Sequence, residues 1–505
     1  MKQYGSGGRV ASRITPSADH PMADADRDLL QAHQPGYGSR SSVEVAFNLV
    51  NATVGAGIIG LPFALYNAGF IGGIVLSAMV SVISQLGLYM LIVAGQRVGI
   101  YKFAQLVEYL LGRPGYHFLN VMIFIQAGGA SLSYLILIGD TLPVLFSMYL
   151  PQFEVMGNRA VVMALISIFL ILPLNLSRSI GALARWSILS VLCLPVILLT
   201  LLLRAPVYAT HEVPLTWVGP DLMGAVAIMA FGFACSQVAF NNFLALKEQT
   251  SRTWANVVAL SATMTYMTSM SFAIIGYLCF GKDVQPNLFL NFPADDPIVN
   301  VGRFALGFSM ILTVPMAFYP AREALQKLIG FETSEKQPTN AQHYVVTLLL
   351  TIVSILLGIR IHSVGKVYTV IGGFAATTLA YILPAIAYLY TRRRASSSND
   401  ETKPLLPATP GIPPPSPPTS ALLQEDTPQL VLDTSPSTST FRSSQSSRQS
   451  DQLDEDATLP VLVEDEPVTL DLDDGAPNRL LDLAAILLII WGLVVMFYTI
   501  FAFFK

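Results

Sequence analysis

Long stretches without Asp, Glu, Lys or Arg alternate along the chain with short polar breaks. The first, Val45–Gln96, is long enough for two membrane helices with a turn near "YNAGFIGG". Further charge-free stretches are Pro114–Gly139, Ala160–Ser177, Trp186–Leu203, Leu222–Leu246, Thr253–Gly281, Phe304–Ala321, Gln337–Ile359, Val367–Thr391 and Leu483–Phe504. About 20 apolar residues cross the hydrocarbon core as a helix. The pattern therefore predicts an all-α polytopic membrane protein with eleven transmembrane helices. Ten lie within residues 41–391 and the eleventh within 479–505.

Composition agrees: of 505 residues 53% are hydrophobic and 12% charged, too little charge to cover a soluble protein of this size. Residues 1–40 and 392–478 read as disordered cytoplasmic segments. The second contains "PPPSPPTS" and "STSTFRSSQSSRQS" and is too acidic and Pro-rich to bury a core. Lys and Arg set the sidedness. With the N-terminus in the cytoplasm, 22 of the 29 basic residues fall on the cytoplasmic side, including Arg97, Lys102, Arg113, Arg178, Arg185, Lys247, Arg252, Arg322 and Lys327 in short loops. Cys193, Cys235 and Cys279 all lie in apolar stretches, so reduced thiols are expected. The polar N-terminal segment does not read as a cleavable signal peptide.

The first predicted helix contains "NATVGAGIIGLPFA", with Gly55, Gly57, Gly60 and Pro62 in eight residues. These residue types weaken a helix interior. Non-helical backbone survives at membrane depth only where protein or a polar cavity satisfies it, and transporters use such breaks to hold solutes and ions. The competing reading is close helix packing through small residues. Clustered Gly, Pro62 and the polar Asn48, Asn51 and Thr53 favour a break. Five spans later, "AFGFACSQVAFNNF" carries Gly232, Ser236, Gln237, Asn241 and Asn242. Two interrupted segments five spans apart fit a 5+5 inverted repeat, with the eleventh span outside it.

These residues resemble the amino acid/auxin permease family, and within it the sodium-coupled neutral amino acid transporters and the vacuolar amino acid transporters. "FNLVNATVGAGIIGLPFA", "SYLILIGDTLP" (Ser133–Pro143), "NLFLNFP" (Asn287–Pro293) and "LTVPMAFYPAR" (Leu312–Arg322) carry the similarity. It runs from about Ser41 to Arg394 and returns in the last span. The resemblance implies a LeuT-type fold of eleven spans, with an amino acid held at the broken parts of spans one and six. The candidate substrate-binding residues are thus Thr53, Val54, Gly55, Ala56, Gly57, Ile58, Phe231, Gly232, Ser236 and Gln237. In sodium-coupled members an Asn of span one and a Thr of span eight make the ion site, and Asn51 and Thr313 match them here. Span six lacks the His-containing or acidic segment of many relatives, so substrate preference does not carry over.

Chemistry narrows the cargo. Asp140 is the one acid deep enough for a proton relay, and it sits near the non-cytoplasmic end of span three; Glu44 is at the cytoplasmic lip. Neutral oxygens of Asn51, Thr313 and carbonyls near Ala52 and Gly55 suit Na⁺, while H⁺ stays open as the coupling ion. Thr313 has a plainer role too, bonding back to its own helix beside Pro315. No cofactor beyond a coupling ion is expected. With no charge lining the predicted centre, a neutral zwitterion fits best, its carboxylate near the N–H groups of Val54–Ile58. Asn241 or Gln237 could meet a polar side chain.

The function expected is secondary active transport of neutral amino acids. The alternative is an amino-acid sensor signalling through its tails. No nucleophile–base or metal cluster suggests an enzyme, no charged ring suggests a channel, and nothing suggests nucleic acid. Partners expected besides the amino acid are membrane lipid, which Arg392–Arg394 could meet, and sorting adaptors at the acidic dileucine Glu401–Leu406. Asp26–Leu30 is a second Leu pair after acids. These signals favour a vacuolar or endolysosomal membrane over the plasma membrane. Asn175-Leu-Ser177, placed in the cytoplasm, is expected to stay unglycosylated.

Overall fold

The computed structural model describes residues 35–36, 38–55, 57–177, 189–190, 192–209, 215–332, 337–401 and 479–504. The tail 1–34, Ala56, the loop with Arg178 and Arg185, and the dileucine segment beyond Glu401 lie outside them. Two compact units divide the chain: residues 1–400 with 470–505, and residues 401–469. The membrane-spanning helices all belong to the first unit.

Every regular element among the described residues is a helix, and β pairing is confined to one parallel bridge between Arg40 and Leu246. Helix α1 (Ser42–Thr53) starts at a capping box, in which Ser41 Oγ accepts the Glu44 N–H and Glu44 Oε2 accepts the Ser41 N–H at 2.8 Å. Helix α2 (Gly57–Ala68) follows at 66° to it, so the pair makes one bent crossing. Gly69, at φ 89°, turns the chain into α3 (Phe70–Val98), at the turn expected from the sequence. Helix α4 (Phe103–Tyr149) is kinked at Gly112 and runs beyond the charge-free stretch that foretold it, carrying Asp140 along.

The shorter apolar helices α5 (Arg159–Asn175) and α6 (Cys193–Tyr208) come next. Then α7 (Leu222–Phe233) and α8 (Ala239–Leu244) form a second interrupted crossing. The remaining helices are α9 (Ser251–Phe280), α10 (Pro297–Leu328), α11 (Asn340–Arg360), α12 (Val364–Arg393) and α13 (Arg479–Phe504). Among the described residues, eight crossings are long and apolar enough for a membrane, and the bent α1–α2 pair makes nine. Helices α5 and α6 stand where the sequence places spans four and five.

The main apolar core joins α2, α4, α7, α9, α10 and α12 through residues such as Ile59, Leu137, Ile228, Phe272, Met310 and Tyr368. Between helices in lipid, fit and close approach replace the hydrophobic drive of soluble cores. A second core, with Leu49, Leu88, Phe240 and Trp254, closes the end near Ser41. There a polar knot ties four segments: Gln249 Oε1 accepts the Gly36 N–H at 3.0 Å, Gln96 Nε2 donates to Gln249 O, and Ser251 Oγ donates to Gln96 Oε1. At the opposite end the buried Arg303 donates to the carbonyls of Phe289, Phe292 and Pro293, fixing the turn that leads into α10.

Candidate functional site

The two interrupted crossings meet at their breaks. Helix α1 ends as Val54 N–H bonds to Val50 O at 2.7 Å and Gly55 N–H turns onto Thr53 O at 2.9 Å instead of Asn51 O. Among the described residues the Asn51 carbonyl thus receives no N–H from Gly55. Ile58 N–H bonds to Gly55 O at 3.2 Å. The N–H groups of Val54, Gly55 and Ile58, expected to face a carboxylate, thus find acceptors in their own turn. In the second crossing, α7 ends at Phe233, Ala234 and Cys235 are non-helical, and a 3₁₀ turn at Ser236–Val238 leads into α8.

The first break holds Gly55, one of the glycines that the sequence singled out, but neither Pro62 nor Gly232 lies at a break. Pro62 lies inside α2, where its ring packs against Gly276 of α9. Gly232 lies inside α7 and is the contact point with the other break: a Cβ on Gly57 would come within 2.6 Å of Gly232 Cα. The glycines let two backbones touch, and the interruptions fall beside them.

The structure brings most candidate residues together. Thr53 Oγ1 bonds to Leu49 O at 2.7 Å, and the Cys235 thiol lies within hydrogen-bonding reach of Thr53. Phe231 stacks on Tyr368 with ring centroids 5.2 Å apart. Ser236 is buried and its Oγ has no hydrogen-bond partner among the described residues. A buried hydroxyl left without a partner at a break can donate to or accept from a small polar solute. Gln237 and Asn241 are exposed, as are Asn48 and Ala52 of α1, and Asn48 Nδ2 donates to Asn242 Oδ1 at 2.7 Å.

Asn51 and Thr313 are not joined by any hydrogen bond among the described residues. Thr313 Oγ1 donates to Ser309 O at 2.7 Å, the plainer of its two expected roles, which leaves its lone pairs as acceptors. Ser309 Oγ in turn bonds to Ser190 O at 3.1 Å. Two tyrosines complete the site and carried no signal as ligands in the sequence. A Cβ on Gly55 would stand 3.2 Å from Tyr134 Oη, and Tyr368 is wholly buried between Phe231 and Gly60. Tyr134 does lie in "SYLILIGDTLP", one of the stretches behind the family resemblance.

A multi-pass helical fold whose interrupted crossings meet midway defines the class of membrane transporter. The chain belongs to the family of transmembrane amino acid transporter proteins, whose profile matches residues 38–406. This is a family of transporters, not of enzymes. The mouse "Putative sodium-coupled neutral amino acid transporter 11" is 31% identical over 386 residues, covering 75% of this chain and 84% of that one. "Vacuolar amino acid transporter 2" of Saccharomyces cerevisiae is 26% identical over 413 residues, covering 78% and 83%. Among solved structures, a nucleobase-cation-symport-1 family transporter in a closed conformation with bromovinylhydantoin bound superposes with a TM-score of 0.50 at 13% identity, over 72% of this chain and 82% of that one. That likeness shows the fold alone, of the LeuT type.

Proposed function

We propose that this protein is a secondary active transporter that moves neutral amino acids across a membrane by alternating access, coupled to Na⁺ or H⁺. The observation that carries this reading is the meeting of two broken crossings at Gly57 and Gly232, beside the unpartnered Ser236 hydroxyl. The stretches that form the site hold no charged side chain, so a zwitterion with an uncharged side chain is the cargo they can hold without an unmatched charge. Its substrate contacts are Thr53, Val54, Gly55, Ala56, Gly57, Ile58, Phe231, Gly232, Ser236 and Gln237. With the Val54, Gly55 and Ile58 N–H groups satisfied locally, Ser236 is the group most open to the substrate.

Asn51, the Gly55 carbonyl and Thr313 are the proposed Na⁺ ligands. The architecture proposed is eleven spans, a 5+5 inverted repeat from α1–α2 to α12 with α13 outside it, and a cytoplasmic N-terminus. The yeast relative's name and the Glu401–Leu406 signal support a vacuolar or endolysosomal membrane. Uptake into proteoliposomes, with a panel of amino acids under separate Na⁺ and pH gradients, tests the reading. Saturable uptake of a neutral amino acid that stops when the gradient is collapsed is expected. Binding without flux would replace the transporter by a sensor. Asn51→Ala and Thr313→Ala should raise the Na⁺ concentration for half-maximal uptake; an unchanged midpoint in both removes the Na⁺ site.

A further inference from the structure

Asp140, the deepest acid in the sequence, takes no part in the site just described. It stands near the end of α4 remote from Ser41, with its side chain 8% exposed. Arg159, the first residue of α5, donates from Nε to Asp140 Oδ1 at 3.2 Å. The same guanidinium donates to Ile359 O at 3.4 Å and Ile361 O at 3.1 Å, where α11 gives way to α12. On the other carboxylate oxygen, Asn287 Nδ2 donates to Asp140 Oδ2 at 3.3 Å. Asn287 is itself buried and begins the 3₁₀ turn Leu288–Asn291. The next residue, Leu288, leans on α9, 2.9 Å from where a Cβ on Gly276 would stand, and Pro62 of α2 meets the same position.

Three side chains therefore join the outer ends of α4, α5 and α11 to a turn resting on α9 beside α2. The bonds differ from those of Arg303 nearby. Arg303 donates to Phe292 O at 2.7 Å and to Pro293 O at 3.0 Å within the one loop that it shapes. The bonds of Arg159, Asp140 and Asn287, at 3.1 to 3.4 Å, instead each join different helices or turns. Exposure along the broken crossings points the same way. On the side of Ser41, Asn48, Ala52, Gln237 and Asn241 are exposed, while on the far side Ile58, Ile59, Leu61, Ala64 and all of Ala225–Phe233 are buried. Polar side chains exposed at this depth face water rather than lipid.

We propose that Asp140, Arg159 and Asn287 form the latch that holds the non-cytoplasmic side of the transporter shut. It rests on the two-sided reading of the proposed function. Breaking it lets α2 and the turn above it part from α4, and the equilibrium moves towards the outward-open form. The latch acts on access to the site, not on the solute, so its residues are gating residues.

Thiol labelling tests this. Ala64→Cys places a thiol in the buried outer half of α2. Its rate of reaction with a membrane-impermeant maleimide, added to the side opposite the N-terminus of sorted proteoliposomes, reports opening. The parent without Ala64→Cys gives the background of the native thiols. Asp140→Asn should speed labelling roughly tenfold, because loss of a partly buried ion pair shifts the populations by that order. Asn287→Ala keeps both charges and should give a smaller increase, and it serves if Asp140→Asn does not reach the membrane. Equal labelling rates in parent and variants would overturn the latch. Amino-acid flux measured on the same vesicles separates the two ideas: faster labelling without flux sinks the transport reading alone, and flux with unaltered labelling sinks the latch alone.

Discussion

A methyl group on Gly57 would meet something quite different from one on Gly232. The Gly57 Cβ would fall 2.6 Å from Gly232 Cα, a backbone atom with nowhere to go, whereas the Gly232 Cβ would meet Leu61 Cδ2 at 3.6 Å, an ordinary contact. Gly57→Ala is therefore expected to cut uptake by roughly tenfold or more by forcing the two breaks apart, while Gly232→Ala keeps most of it; overpacking costs about 1–3 kcal/mol at a rigid site. Initial uptake rates beside thermal melting of the purified variants check this. Equal effects from both would refute the geometry. The same pair shows what the sequence could tell. Clustered glycines in the first segment, and Gly232 among polar residues in the second, marked the right two segments, because Gly weakens a helix interior. They left open whether the reason was a break or a close approach. Both occur, one beside the other: the first interruption holds Gly55, while the second, at Ala234–Cys235, carries no special residue type. Tyr134 and Tyr368 were illegible as site residues for a related cause: their position depends on how distant helices pack, which periodicity does not encode.

Charge-free stretches located the helices well, because water-free surroundings leave a helix as the one way to satisfy a lone crossing segment. They located helix ends less well. Helix α10 begins at Pro297, seven residues before its charge-free stretch, because Asp296 caps it by accepting the Ile298 and Val299 N–H groups at 3.0 and 3.2 Å. Arg204 Nε and Tyr208 Oη of α6 donate to the same carboxylate at 2.6 and 2.8 Å. Burial alone would raise the Asp296 carboxyl, but these bonds outweigh it and hold the group below its ordinary value. A carboxylate with a lowered folded-state value stabilises the fold at all pH above about 4, its unfolded value, and loses that contribution as pH falls through the folded value. Asp296→Asn should therefore lower the melting temperature by a similar amount at every pH from about 5 to 8, with the gap to the parent closing below about pH 4. Melting curves across that range test it. A gap that closes between pH 5 and 7 would mean that Asp296 is not held ionised by its partners.

Helix α13 returns to the core after a long polar segment and packs on α12, α3 and α7 through Ala485 and Leu488, which share a cluster with Met90, Ala230, Tyr381 and Tyr388. Its contact with α12 is at backbone range: Thr499 occupies the space that a Cβ on Gly373 would need. At one end Arg392 of α12 pairs with Asp482 of α13. Leu480, Ile490, Phe497 and Phe501 remain exposed, as befits a lipid-facing flank. The last helix therefore braces both α12 and the interrupted α7, whose Ala230 lies two residues before Gly232. Tyr368, the ring stacked on Phe231, belongs to α12, and bracing that helix keeps the ring in place. Asp482→Arg sets two like charges against each other at the brace and is expected to cost about 1 kcal/mol, as a partly exposed pair does. The purified variant should melt a few degrees lower than the parent. Uptake per folded molecule at a temperature well below melting should match the parent, since neither Arg392 nor Asp482 belongs to the broken crossings. Lower uptake at equal folded fraction would show instead that the eleventh helix moves with the transport cycle and belongs to its machinery.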